Sequence, residues 1–151
     1  MQSKSIIPVI IAGGVGSRLW PISRAMHPKP FVKLNDGQSL IQKTILRASA
    51  LPNVKEVLTI TNRALYFYTK DEYQALELSV NTTFITEPFG RNSAPAIALA
   101  AHYVQKHHGD DAIMLILPAD HIILDEKAFC DAVLQAVDLA HQEKLVTFGI
   151  K

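Results

Sequence analysis

Residues Ile6–Ile11 form an unbroken apolar run, Ile-Ile-Pro-Val-Ile-Ile, that passes directly into Ala12-Gly13-Gly14-Val15-Gly16. A strand with one wet face alternates apolar and polar residues. A strand without that alternation must be covered on both faces. This single feature points toward a sheet buried between helices. The rest of the chain fits that requirement. Strand-like stretches at 57–61, 82–86, 113–117 and 145–149 alternate with helical ones. Ser39 followed by Gln42 reads as a capping box, and Ile41, Ile45 and Ala48 then share one helical face, with Leu40, Thr44 and Leu51 beside it. Helices are also expected at 64–76, at 95–106 with Ser93 as N-cap and Pro95 in the first turn, and at 127–143. The expected fold is a Rossmann-like three-layer α/β/α sandwich with a mainly parallel sheet.

A length of 151 residues suits one domain. The last stretch, 145–149, reads as a central strand with no closing element after it. The expectation is therefore a domain truncated at Lys151, of which residues 1–151 are the N-terminal, nucleotide-binding part. A net charge of +1 supplies no basic field for nucleic acid and no polybasic anchor for a membrane, so an anionic ligand would need a local site. No apolar run reaches the length of a membrane span, and the first one is too short for a signal peptide. Cys130 is the only cysteine, which rules out an internal disulfide. It reads as a small buried helical thiol, and a cytoplasmic location is the expectation.

Three glycines in four positions let the backbone turn its N–H groups toward a ligand with no side chain in the way. Such a nest suits phosphate, although a tight turn alone would use the same glycines. Two familiar phosphate loops do not fit. A dinucleotide fingerprint would need glycine where Leu19 stands and an acidic residue where the chain has Thr61-Asn62. A P-loop would need Gly-Lys-Ser/Thr, which does not occur. Arg18 and Lys29 instead add cationic groups to the nest, as a triphosphate undergoing transfer requires.

The run from Gly13 through Arg18-Leu19-Trp20-Pro21 to Arg24, followed by Pro28-Lys29, resembles the signature of the sugar-phosphate nucleotidyltransferases, in the form carried by bacterial mannose-1-phosphate guanylyltransferases. Some of these carry a phosphomannose isomerase domain further along. Pro30 stands where the family usually has glutamine. Two further segments resemble family motifs. Glu87-Pro-Phe-Gly-Arg-Asn-Ser-Ala-Pro95 has Ser93 in place of threonine, and Pro118-Ala-Asp-His121 follows the fourth strand. The resemblance implies a GT-A-like nucleotidyltransferase fold and transfer of GMP from GTP to mannose 1-phosphate. It implies nucleotide contacts from Ala12, Gly13, Gly14, Gly16, Ser17, Arg18, Glu87, Arg91 and Asn92, with Arg18 and Lys29 catalytic and Mg²⁺ at Asp120. A homodimer of a longer chain is compatible with it. Guanine offers two adjacent donors that one carboxylate can accept, which suits Glu87. Arg91 could equally be a surface charge, and Asn92 a helix cap. His121 is expected to make a local hydrogen bond. The remaining alternatives are a nucleotidyltransferase for another sugar phosphate or for a molybdopterin cofactor, a non-catalytic nucleotide-binding regulator, and a dinucleotide-dependent oxidoreductase.

Overall fold

The computed structural model describes residues 5–14, 28–88 and 92–149. Four strands, β1 (Ile6–Ile11), β2 (Glu56–Asn62), β3 (Asn81–Glu87) and β4 (Ile113–Pro118), form one sheet in the order β3-β2-β1-β4. Every pairing in it is parallel. Between and after them lie α1 (Leu40–Ser49), α2 (Tyr66–Gln74), α3 (Ser93–His108) and α4 (Glu126–Ala140), and a short 3-10 turn spans Lys29–Phe31.

Burial follows from the two-sided strands. Ile6 and Ile10 of β1 pack with Ile41, Ile45 and Ala48 of α1, Tyr73 of α2 and Val133 of α4. Ile7 and Val9 face the other way, onto Ala96, Ala100 and Val104 of α3. The sheet thus has helices on both faces, the three-layer arrangement expected. Its topology explains the sidedness. The chain steps from β1 to β2 to β3 in one direction with α1 and α2 on one face. Reversing to reach the far side of β1 puts α3 on the opposite face, as right-handed crossovers require.

The capping box forms as read. Ser39 Oγ accepts from the Gln42 N–H and Gln42 Oε1 accepts from the Ser39 N–H at 3.0 Å. Ser39 also donates to Glu72 Oε2 at 2.6 Å, fastening α1 to α2. Small residues at i, i+4 and i+8 (Ala96, Ala100, Val104) let α3 lie close to the sheet. At the N-terminal edge, the Glu56 carboxylate accepts from Thr83, Tyr103 and His108, joining β2 to β3 and to the end of α3.

Three expectations are corrected. Residues 145–149 are not a strand: they join no ladder, and Leu145 is 98% exposed. A strand exists only by pairing, and no described strand lies beside this one. Ser93 is not the N-cap of α3 but its first residue. Asn92 occupies the cap at φ 65°, ψ −171°, and its side chain makes no capping bond. That backbone combination, ordinarily reserved for glycine, turns the chain into the helix in place of a side-chain cap. Cys130 is half-buried, not fully so, and packs beside the α4 core residues.

Candidate functional site

In open parallel sheets the crevice beyond the strand C-termini is where ligands bind, at the point where strand order reverses. Here that point lies between β1 and β4. The β1 ladder extends one residue further, because the Ala12 N–H donates to the Ile60 carbonyl at 2.8 Å. Gly13 and Gly14 follow at the edge. Across the reversal, the Ala119 N–H donates to the Ile11 carbonyl at 3.2 Å, which fixes the Ala119-Asp120 turn beside the glycines.

The end of β3 meets the same loop. In register, Asn62 pairs with Glu87. Glu87 is 4% exposed, and a Cβ built on Gly13 would meet its Oε2 at 3.0 Å. A side chain at position 13 would therefore press on the carboxylate, which would have to give way by a few tenths of an ångström. Gly14 by contrast faces open space. Burial pushes the Glu87 carboxyl above its ordinary value, since desolvation disfavours the charged form.

Lys29 and Asp120, read from motifs ninety-one positions apart, meet: Lys29 Nζ lies 3.0 Å from Asp120 Oδ2. Lys29 is presented by the 3-10 turn, whose Phe31 N–H donates to the Pro28 carbonyl at 3.0 Å. Pro30 falls inside that turn, where a missing N–H does no harm. His121 Nε2 lies 3.8 Å from Asp120 Oδ1 and its side chain is 56% exposed, so the local hydrogen bond expected of it is not made to that carboxylate.

Asn62 was not singled out from the sequence as a site residue. Its Nδ2 donates to the Gly13 carbonyl at 3.3 Å while its Oδ1 accepts from the Leu65 N–H at 2.9 Å. It therefore holds the glycine turn from the end of the neighbouring strand. The available signal was an amide at a strand end adjacent to the loop. A cleft of about 490 Å³, lined by Arg63, Tyr66, Phe67, Phe84 and Thr86, opens beside the ends of β2 and β3.

The structure thus sets two contacts at one edge of the sheet, Gly13 with Glu87 and Lys29 with Asp120, with Ala12 and Gly14 beside Gly13 and Asn92 at the start of α3. Gly16, Ser17, Arg18 and Arg91 lie outside the described residues. As a metal ligand, the residue expected from the sequence is Asp120, with the His121 ring nitrogen 3.8 Å from its Oδ1. No group of three or more His, Cys, Asp or Glu side chains is assembled among the described residues. That donor set fits Mg²⁺, which commonly takes one or two protein carboxylates and completes its shell with phosphate oxygens and water. The ammonium already drawn to Asp120 marks the position as one that attracts cations. None of the helices among the described residues is long and apolar enough to cross a membrane.

The nucleotidyl transferase family profile matches residues 7–151. Mannose-1-phosphate guanylyltransferase 2 of Escherichia coli O157:H7 is 44% identical over 99% of this chain and 31% of its own length. The mannose-1-phosphate guanylyltransferase of Klebsiella pneumoniae is 46% identical over 96% of this chain and 30% of its own. The chain therefore spans just under a third of the length of these curated relatives. Among solved structures, a Thermus thermophilus protein described as mannose-1-phosphate geranyltransferase superposes with a TM-score of 0.77 at 30% identity, covering 91% of this chain and 39% of that one. A Helicobacter pylori protein described as mannose-6-phosphate isomerase does so with a TM-score of 0.74 at 28% identity, covering 91% and 47%.

Proposed function

This chain belongs to the nucleotidyl transferase family, and from that premise we propose that it supplies the nucleotide-binding part of a mannose-1-phosphate guanylyltransferase. The observation that carries the reading is the meeting of Lys29 and Asp120 at the strand-end edge that also carries the Gly13–Glu87 contact, where strand order reverses. The choice of guanine and mannose rests on relatives 42–47% identical that bear that name.

In the proposed reaction a phosphate oxygen of mannose 1-phosphate attacks the α-phosphorus of GTP. The bond from that phosphorus to the bridging oxygen breaks, and pyrophosphate leaves with the electron pair. A phosphate monoester, with a second pKa of about 6, is already largely dianionic at neutral pH, so no general base is needed. What the protein must supply is alignment and stabilisation of charge on the leaving group. The Gly13–Gly14 backbone receives the phosphates, with Asn62 fixing the Gly13 carbonyl. Lys29 stands where it can pair with a phosphate oxygen, and Arg18 is assigned the same work. Glu87 reads the guanine N1–H and 2-amino group; burial beside the loop removes the water that would compete for those donors. Asp120 would hold Mg²⁺, which when bound neutralises phosphate charge.

The test is product formation. Incubated with GTP, mannose 1-phosphate and Mg²⁺, a chain of the relatives' length that contains residues 1–151 should yield GDP-mannose and pyrophosphate in equal amounts, whereas residues 1–151 alone should yield none. Other sugar 1-phosphates and other nucleoside triphosphates should react far more slowly. Where residues 1–151 form part of a chain of the relatives' length, that chain is the one to assay, because the acceptor must also be held in line. Faster turnover of a different sugar phosphate would reject the mannose assignment, and no transfer to any of them would reject the reading.

A further inference from the structure

Resting on the nucleotidyl-transfer reading, we propose that Lys29 is a built-in counter-ion for Asp120 that a divalent cation must displace, so that metal and polyphosphate bind together and metal alone is held off. Lys29 Nζ sits 3.0 Å from Asp120 Oδ2, whereas the His121 ring stays 3.8 Å from the other carboxylate oxygen. The Lys29 and Asp120 side chains are 28% and 33% exposed, so the pair is open to an incoming ion and to phosphate oxygens. No group of three or more ligating side chains forms a cage at Asp120 among the described residues. Without nucleotide, the described part of the site therefore offers a divalent cation a carboxylate already paired with an ammonium, and the ammonium repels the newcomer.

A polyphosphate changes both halves of that balance. Its oxygens complete the coordination shell that one aspartate cannot fill. They also give the Lys29 ammonium, with three donors on a flexible stem, an alternative anion when it leaves Asp120. The exchange asks for side-chain motion only. Lys29 is anchored by its carbonyl, which accepts from the Val32 N–H at 3.1 Å, and the Asp120 turn is anchored through Ala119 to Ile11 at 3.2 Å. Linkage makes the effect reciprocal: whatever nucleotide adds to metal affinity, metal adds to nucleotide affinity.

The test uses Mn²⁺ as a spectroscopically visible probe, titrated by electron paramagnetic resonance without nucleotide against the parent protein, Lys29→Met, Lys29→Arg, Asp120→Asn and the Lys29→Met/Asp120→Asn double variant. Removing the ammonium should tighten Mn²⁺ binding by about three- to tenfold, in line with the modest worth of a part-exposed ion pair plus relief of cation–cation repulsion. Lys29→Arg should stay near the parent, and the gain should vanish in the double variant. The enhancement of Mn²⁺ binding by a non-hydrolysable GTP analogue should shrink in Lys29→Met. If Lys29→Met binds Mn²⁺ no tighter than the parent while Asp120→Asn binds it more weakly, Asp120 is a ligand and the counter-ion proposal is overturned. If Asp120→Asn changes nothing in either background, the proposal and the metal assignment both fail. Formation of GDP-mannose, measured separately, reports on the transferase reading alone.

Discussion

Replacing Gly13 by alanine probes the contact at the centre of the strand-end cluster. The added methyl would stand 3.0 Å from Glu87 Oε2, so the carboxylate would have to withdraw by a few tenths of an ångström. Glu87 is 4% exposed and has little room to do so. Overpacking of this kind costs about 1–3 kcal/mol. The Gly13 backbone is not left-handed, so alanine fits its conformation and should recover about 0.4–1 kcal/mol by narrowing the unfolded ensemble. The net expectation is a loss of about 0.5–2 kcal/mol. Glu87→Asp retracts the carboxylate by one methylene. In that background Gly13→Ala should be neutral or slightly stabilising, which makes the coupling in the double-mutant cycle about 1–3 kcal/mol. Urea unfolding of the four proteins, followed by circular dichroism, measures it. An equal cost of Gly13→Ala in both backgrounds would refute the claim that Glu87 is what disfavours a side chain at position 13.

Ser39→Ala removes the capping-box acceptor and the 2.6 Å bond to Glu72 at a fully buried position, and should cost about 1–2 kcal/mol in urea unfolding. A loss below about 0.5 kcal/mol would contradict that role. Burial pushes the Glu56 carboxyl up, but hydrogen bonds from Thr83, Tyr103 and His108 outweigh it and hold the group below its ordinary 4.5. A depressed carboxylate contributes stability that is full above its unfolded value and is lost as pH falls through its folded one. Below about pH 4.5 the urea midpoint of the parent should therefore fall more steeply than that of Glu56→Gln, and parallel curves would exclude the linkage. Glu87→Gln keeps one acceptor but turns a donor toward guanine's donors. The preference for GTP over ATP in binding should narrow by about 1–3 kcal/mol, whereas an equal loss for both would assign Glu87 to the loop alone.

What the sequence disclosed, and what it withheld, divide along a physical line. Ile6–Ile11, the Ser39–Gln42 capping box and the faces of α1 were legible because each is set by a few neighbouring residues and a fixed period. The residues of the three motifs were legible by family resemblance, and their common placement followed from the rule that strand C-termini share one edge. The pairing of Lys29 with Asp120 was not legible. It depends on the 3-10 turn and the β4 end arriving side by side, which no local pattern encodes. The support that Asn62 gives to Gly13 stayed hidden for the same reason. An asparagine after a strand reads as a turn residue until the neighbouring strand brings a carbonyl within reach.

Residues 145–149 make the sharpest case. Val146, Phe148 and their neighbours have the β-branched and aromatic character of a strand, and a strand was expected there. Propensity of that kind measures how well a side chain suits a pleated, half-buried surface, not whether such a surface is present. The four strands that did form each found a parallel neighbour, in a sheet with helices packed on both faces. The 145–149 stretch follows a helix on the α1 face of the sheet, yet it joins no ladder among the described residues, and its Leu145 is left to solvent. The error and the successes share one cause. Alternation of strand and helix fixes the class of fold and the edge where the site lies, whereas the existence of any one strand is decided by what lies beside it.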